Sequence, residues 1–164
     1  SFPFKDATVV IPPTCIVYGN AYHWNTENNR WDIMRLEDAK GVGIWIYSWT
    51  ECRIAISGTE PLSVEDITLI GGNVANQIAI PKGGLQLVSS RGNCELIRFY
   101  YYDTRERTWY KWNATTKEYL KYDYTQGKYV LVRTEQDPYI EEGKSIYLYV
   151  ANDCKLSLLP PAAP

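Results

Sequence analysis

An internal repeat constrains this chain more than any other feature of its sequence. Residues 44–56 align without a gap to residues 146–158, and the alignment places Cys52 on Cys154. Repetition at this scale is typical of chains that build one structural unit twice, and it determines architecture and assembly rather than an active site. The sequence therefore predicts two related units in tandem.

The repeat also sets the expected boundaries. The first unit is expected to span residues 1–58 and the second residues 59–159, which hold an inserted hairpin at about 113–133. A Pro-rich tail at 160–164 then follows, and its prolines favour a stiff, extended segment that cannot pair as a central strand.

Each unit carries one pair of cysteines. Four cysteines allow three pairings, and the repeat favours Cys15 with Cys52 and Cys94 with Cys154. No two cysteines lie two to four residues apart, as zinc ligands usually do, and the chain has a single histidine, His23, to activate a thiol. We therefore expect two structural disulfides, and hence an oxidising compartment or a hyperthermophilic source, with free buried thiols as the alternative.

Composition excludes several functional classes. The net charge of −2 leaves no basic face for nucleic acid, and no apolar run approaches the roughly 20 residues of a membrane-spanning helix. We therefore expect neither nucleic-acid binding nor membrane insertion. Ser1 stands where an initiator methionine would, as expected after signal-peptide removal or in a recombinant chain.

Alternating apolar and polar residues, separated by turn residues, predict β-strands throughout. A polar turn separates Trp24 from Trp31 in the first unit, and an equivalent turn separates Tyr102 from Trp109 in the second. No long amphipathic helix is evident. The expected fold is all-β, with two disulfide-fastened antiparallel units, sandwich-like or barrel-like, packed in tandem.

One strand of the second unit has no obvious counterpart in the first. Residues 66–71 form an apolar run that begins the second unit, and nothing similar begins the first. A missing strand would leave an open sheet edge, which residues 1–11 or 155–159 of a neighbouring copy could complete. Alternatively, each terminal segment pairs within its own chain.

Catalytic and metal-binding candidates are few. His23 lies within a strand, where a half-exposed, hydrogen-bonded role is the expected one. Acidic pairs occur at 37–38, 65–66 and 141–142, and we expect them to be solvated. Residues 135–142 could hold calcium, but they lack EF-hand spacing. We therefore expect no catalytic residues, metal or cofactor, and a hydrolase using two carboxylates is a distant third function.

Aromatic residues are the remaining candidates for function. The chain holds 14 Tyr and 6 Trp, side chains that are enriched in protein interfaces and that also stack on sugars. They could form core, a protein interface or a glycan-binding platform. The interface or glycan candidates are Trp24, Trp31, Trp49, Tyr101, Trp109, Trp112 and Tyr122. Residues 113–115 also form an Asn-x-Thr sequon in an expected turn, so Asn113 is a candidate for glycosylation.

Residues 41–47 and 143–149, each shortly before a cysteine, resemble a G-x-G-Y-W-I-Y strand motif. This motif is typical of secreted and surface-anchored tandem β-repeat proteins, mainly archaeal. The second copy departs from it, with Ser145 and Tyr147 in place of glycine and tryptophan. The resemblance implies a cell-envelope or appendage role and carries no catalytic residues.

The leading expectation is a non-enzymatic structural protein located outside the cell or on its surface. It would be a subunit of a filament, pilus-like appendage or surface layer that self-associates into a polymer, with strand donation as one way of joining the copies. The alternative is a carbohydrate-binding module that uses exposed Trp and Tyr rings, with glycans as ligands. Polymer growth with concentration would favour the first, and a tryptophan fluorescence response to oligosaccharides the second.

Overall fold

A computed structural model describes residues 4–39, 42–60, 67–87, 90–91 and 93–156 of the chain. These residues form antiparallel strands and one short 3-10 helix, Leu36–Asp38. None of the described helical structure is long enough to cross a membrane. The all-β prediction is confirmed.

The first unit consists of a three-stranded sheet and a two-stranded ribbon. Its strands are β1 (Thr8–Val10), β2 (Val17–Asn25), β3 (Arg30–Arg35), β4 (Trp45–Ser48) and β5 (Ala55–Ser57). The sheet has the order β3-β2-β4, and β1 pairs with β5. A small core lies beneath them, formed by Phe4, Ala7, Ala21, Leu36, Ala39 and Ile44.

The second unit is larger because its central sheet is wider. Its strands are β6 (Ile67–Leu69), β7 (Asn76–Ala79), β8 (Leu85–Gln86), β9 (Ser90–Arg91), β10 (Cys94–Asp103), β11 (Thr108–Asn113), β12 (Glu118–Asp123), β13 (Lys128–Thr134), β14 (Tyr139–Ile140), β15 (Ser145–Val150) and β16 (Cys154–Leu156). The sheet order is β13-β12-β11-β10-β15-β7, and β9 pairs with β10. Two ribbons, β14-β8 and β16-β6, accompany the sheet. Trp112 and Phe99 are the largest fully buried side chains of its core.

The repeat is preserved in strand register. The β3-β2-β4 sheet of the first unit corresponds to β11-β10-β15 of the second. Tyr22 lies opposite Trp45 across β2 and β4, and the equivalent residues Tyr100 and Tyr147 face each other across β10 and β15. The repeated sequence therefore folds twice into the same three-stranded arrangement.

Both disulfides predicted from the repeat are confirmed. Cys15 pairs with Cys52 at a Cα separation of 5.3 Å, and Cys94 pairs with Cys154 at 5.2 Å. Each bridge ties an early part of its unit to the segment that follows the last strand of the repeated sheet. Two disulfides, with no free cysteine among the described residues, indicate a non-reducing environment.

The repeated sheets of the two units differ at one edge. β1 pairs with β5 shortly after Cys52, and β6 pairs with β16 from Cys154 onwards, so a short two-stranded ribbon accompanies the repeated sheet in each unit. The strand without a counterpart is β7, which covers one edge of β15. Among the described residues, no strand pairs with the corresponding edge of β4.

Four hairpins use the same turn chemistry. In each, a side-chain oxygen of an Asn or Asp accepts a backbone N–H from inside the turn, and the fourth residue after it has a positive φ. The turns begin at Asn25, Asp103, Asn113 and Asp123, and their left-handed residues are Asn29, Arg107, Lys117 and Gly127. The inserted hairpin of the second unit, β12 with β13, is one of them.

The ribbon of the first unit should weaken in acid. The Asp6 carboxylate accepts hydrogen bonds from Thr59 Oγ1, Thr59 N and Glu60 N, and these bonds lower its pKa to about 2. Because this pKa lies below the ordinary value of 3.8, the ionised side chain stabilises the fold above about pH 4. That contribution is lost as the pH falls from about 4 towards 2.

Urea unfolding at pH 7 and pH 2.5 measures the effect. The loss of stability between these pH values should be smaller in Asp6→Asn than in the native chain. Equal losses in the two proteins would mean that Asp6 does not couple folding to pH.

Candidate binding groove

An aromatic groove with a volume of about 890 Å³ lies between the two units. It is lined by ten aromatic side chains and Ala75. The first unit contributes Tyr22, Trp24, Trp31, Trp45 and Tyr47, and the second contributes Tyr100, Trp109, Tyr129, Tyr147 and Tyr149. This volume is in the range of small-molecule and peptide-binding clefts.

Strand alternation places these rings on one face of each sheet. Successive side chains of a strand point to opposite faces, so residues two apart share a face. Trp45 and Tyr47 on β4, like Tyr147 and Tyr149 on β15, line the groove with this spacing. Leu148, between the last two, is fully buried on the other face.

Equivalent residues of the two units meet in this groove. The indole Nε1–H of Trp45 donates a hydrogen bond to Tyr147 Oη, and the repeat aligns these two residues. Trp45 also contacts Trp109 at 5.5 Å between ring centroids, and Tyr147 contacts Trp31 at 6.4 Å. Trp31 and Trp109 are themselves equivalent, so exchanging the units reproduces the contacts. The joint is therefore isologous, like the interface of a two-fold dimer.

β7 strengthens the joint through polar contacts. Trp24 N donates to Gln77 Oε1 at 2.6 Å, and Gln77 Nε2 donates to Tyr147 Oη at 3.3 Å. Nearby, Thr26 Oγ1 donates to the Ala75 carbonyl at 2.8 Å. The strand that has no counterpart in the first unit therefore bridges the two units.

Burial disfavours ionisation of three tyrosines in the groove. Burial raises the pKa of Tyr147 and of Tyr149 above the ordinary tyrosine value, and it raises that of Tyr129 to about 12. The nearby cations stack on rings: the Arg98 guanidinium lies 4.3 Å from the Tyr149 ring centroid, and Lys111 Nζ lies 5.8 Å from that of Tyr129. The site therefore suits ligands that bind by ring stacking and apolar contact.

Removing the Tyr147 hydroxyl should weaken the joint. Tyr147→Phe keeps the ring but leaves Trp45 Nε1–H and Gln77 Nε2–H without this acceptor. We expect a loss of about 1 kcal/mol, or about 2–4 °C in melting temperature. Circular dichroism melts measure it, with Tyr124→Phe at an exposed turn ring as the matched control. Equal melting temperatures for the two variants would contradict the proposed role of the hydroxyl.

The structure divides the candidate aromatic residues. Trp24, Trp31 and Trp109 line the groove, and the Trp31 side chain is 45% exposed. Trp49 lies outside the groove, is 72% exposed and contacts Tyr18 at 5.4 Å.

Tyr122 is half-buried in a ring cluster, with its ring centroid 5.0 Å from that of Tyr124 and 5.2 Å from that of Tyr129.

Two candidates belong to the core instead. Trp112 is 0% exposed and stacks on Phe99 at 5.7 Å, so its ring cannot meet a sugar or another chain. Tyr101 is 8% exposed and accepts a hydrogen bond from the buried Tyr119 hydroxyl. The prediction of an interface or glycan role for Trp112 and Tyr101 is corrected on this ground.

Several groove residues were missed as candidates from the sequence. They are Tyr22, Trp45, Tyr47, Tyr100, Tyr129, Tyr147 and Tyr149. The repeat alignment that placed Trp45 on Tyr147 contained the signal, because equivalent residues meet in an isologous joint. That inference also requires the sheets to pack face to face, which the alignment alone does not establish.

The residues considered for catalysis make structural contacts. His23 is half-buried, and its Nδ1 lies 2.8 Å from the Gly43 carbonyl oxygen, which confirms the expected hydrogen-bonded role. Glu37 and Asp38 are exposed beside Arg35. Residues 65–66 lie outside the described part of the chain.

The acidic residues at 141–142 and 135 also contact neighbouring groups of the protein. Glu141 pairs with Lys144 at 3.6 Å, and Glu142 accepts the Gly83 N–H at 2.7 Å. Within residues 135–142, which were considered for calcium, Glu135 pairs with Arg133 at 2.8 Å. Over the described ranges, no three His, Cys, Asp or Glu side chains are grouped to hold a metal ion.

Asn113 ends β11 and begins one of the four hairpin turns. Its Oδ1 accepts backbone N–H bonds from Thr115 at 2.9 Å and Thr116 at 3.2 Å. Glycosylation at this residue stays a prediction.

No family model, curated protein or solved structure matches this chain.

Proposed function

We propose that this protein is a non-enzymatic structural subunit located outside the cell or on its surface. Copies would associate into a filament, pilus-like appendage or surface layer through their aromatic surfaces. The two disulfides support an oxidising location, and the resemblance to surface-anchored tandem β-repeat proteins supports an envelope role.

The observation that carries this proposal is the exposure of aromatic rings in the groove. Trp31 is 45% exposed and Tyr47 is 53% exposed, although both line the groove between the units. Exposed Tyr and Trp rings in a concave site are typical of protein-interface hot spots, where large rings displace water at low entropic cost. The groove therefore offers binding surface beyond what the joint between the units uses.

Surface contact is a simpler joint than strand donation. β1 already pairs with β5, and β16 with β6, so residues 8–10 and 155–156 of the segments considered as donors are paired within their own chain. Donation of β1 would break three residue pairs before the neighbour contributed any contact. Docking on the groove requires no such opening.

Sedimentation velocity over a concentration series tests the proposal. We expect the native chain to associate, and Trp31→Ala to weaken association about tenfold or more. Trp49→Ala, the same substitution at a more exposed tryptophan outside the groove, is the matched control. Association that survives Trp31→Ala but fails in Trp49→Ala would contradict a joint at the groove.

Carbohydrate binding is the second candidate function. The exposed Trp31 ring, beside Tyr hydroxyls in the same groove, is a surface on which sugars can stack. Oligosaccharides that change tryptophan fluorescence in the native chain but not in Trp31→Ala would support it. A glycan linked to Asn113 would add to the surface-protein proposal, and intact mass measurement before and after deglycosylation tests that modification.

A further inference from the structure

We propose that the aromatic groove binds the Pro-rich segment 159–164 of a neighbouring copy. The inference rests on the proposed self-association and names its joint.

The chemistry of the segment suits an aromatic groove. Residues 159–164 read Leu-Pro-Pro-Ala-Ala-Pro, carry no charge and contain a Pro-x-x-Pro motif at 161–164. Such sequences favour the polyproline II helix, with three residues per turn and a rise of about 3.1 Å per residue. Pro161 and Pro164 would therefore lie on one edge, about 9 Å apart.

The groove has the features that recognise such a helix. Rings follow one another from Tyr47 through Trp45, Trp109 and Tyr147 to Trp31, with centroid separations of 6.4, 5.5, 5.9 and 6.4 Å. Aromatic-lined grooves bind polyproline II segments because proline rings pack between aromatic rings at little cost in chain entropy. Neutral rings also match an uncharged ligand.

Hydrogen bonding adds to this match. A polyproline II helix makes no internal hydrogen bonds, so its carbonyl groups remain available as acceptors. Tyrosine hydroxyls and indole N–H groups are donors, and both occur among the groove side chains.

The position of the segment favours a neighbouring copy over the same chain. β16 ends at Leu156, opposite Ile67 of β6, and two residues separate it from Leu159. Pro-rich segments are stiff over several residues, which disfavours a sharp reversal onto the same molecule. Binding in a neighbour's groove is a heterologous contact, and repeated contacts of this kind build open filaments.

Variants of the full chain test the inference. Pro161→Gly combined with Pro164→Gly should weaken self-association about tenfold or more, measured by sedimentation velocity. Ala162→Gly combined with Ala163→Gly adds equal flexibility but keeps both prolines, and should retain most of the association. Equal association in the two double variants would overturn the inference.

Complementation between variants separates this joint from others. The proline double variant keeps a working groove, and Trp31→Ala keeps a working Pro-rich segment. A mixture of the two variants should therefore form one-to-one dimers but no larger assemblies. Tyr47→Ala, a second groove variant at a 53% exposed ring, should behave like Trp31→Ala. A mixture that stays monomeric would overturn the inference.

A peptide with the sequence of residues 157–164 provides a direct binding measurement. Added to the native chain, it should change tryptophan fluorescence and disperse assemblies, whereas a scrambled peptide without the Pro-x-x-Pro spacing should do neither. Assemblies unaffected by the peptide and by the proline variants would overturn this inference and leave the proposed function standing. A native chain that is monomeric at every concentration would contradict both.

Discussion

Replacing Trp112 by alanine should destabilise the protein by about 4 kcal/mol, within the range of 3–5 kcal/mol for a buried large aromatic side chain. Trp112 is fully buried, and it stacks on Phe99 at the centre of the second unit's core. Its Nε1–H also donates to the Glu135 carbonyl at 2.9 Å, so the substitution leaves both a cavity and an unpaired acceptor. Urea unfolding followed by far-UV circular dichroism measures the loss.

Trp49→Ala is the matched control for this variant. It removes the same side chain from a site that is 72% exposed, where surface substitutions usually change stability by less than about 0.5 kcal/mol. Comparable losses in Trp49→Ala and Trp112→Ala would contradict the assignment of Trp112 to the core.

Replacing Cys94 and Cys154 together by alanine should cost about 4 kcal/mol or more. The bridge closes a segment of 60 residues, for which the chain-entropy model gives about 4 kcal/mol. Both cysteines are buried in the large core, so the loss of their packing adds to the effect. Chemical unfolding of the native and double-variant chains, without reductant, measures the difference.

The Cys15 and Cys52 double variant is the comparison within the same chain. Its bridge spans 37 residues, and Cys52 is only half-buried, so we expect a somewhat smaller loss and a native-like core in the second unit. Near-UV circular dichroism should therefore change less than in the Cys94 and Cys154 variant. The reverse order would contradict the placement of the larger core around Cys94 and Cys154.

Much of the fold was predictable because the chain repeats itself. Aligning Cys52 with Cys154 led to the correct disulfide pairing. Spacing alone also identified the Trp24–Trp31 pair of the first hairpin, since residues on either side of a short turn meet across the strands. These features depend on local spacing and on repeat symmetry, both of which are visible in a sequence.

The choice between core and surface was not predictable in β11. Its side chains alternate, with Thr108, Tyr110 and Trp112 on the buried face and Trp109 on the face towards the groove. Both faces carry large rings, so alternation separates them into two sets without indicating which set is the core. That choice depends on what the rest of the chain packs against each face.

The open edge of the first sheet could not be located from the sequence for a related reason. Residues 66–71 stood out as an apolar run, but the strand that lies along β15 and has no equivalent on β4, within the part of the chain that the structure describes, is β7. Apolar runs are similar wherever they occur, whereas pairing depends on distant partners such as β5 and β16. The groove itself arises between the units, and no local pattern encodes that contact.

Electron microscopy of the native, non-reduced protein, with light scattering on the same sample, shows whether copies of this chain assemble. We expect regular filaments or lattices, and a scattering mass that rises with protein concentration. A monodisperse monomer at every concentration would contradict a structural subunit, and would leave glycan binding in the aromatic groove as the function to test.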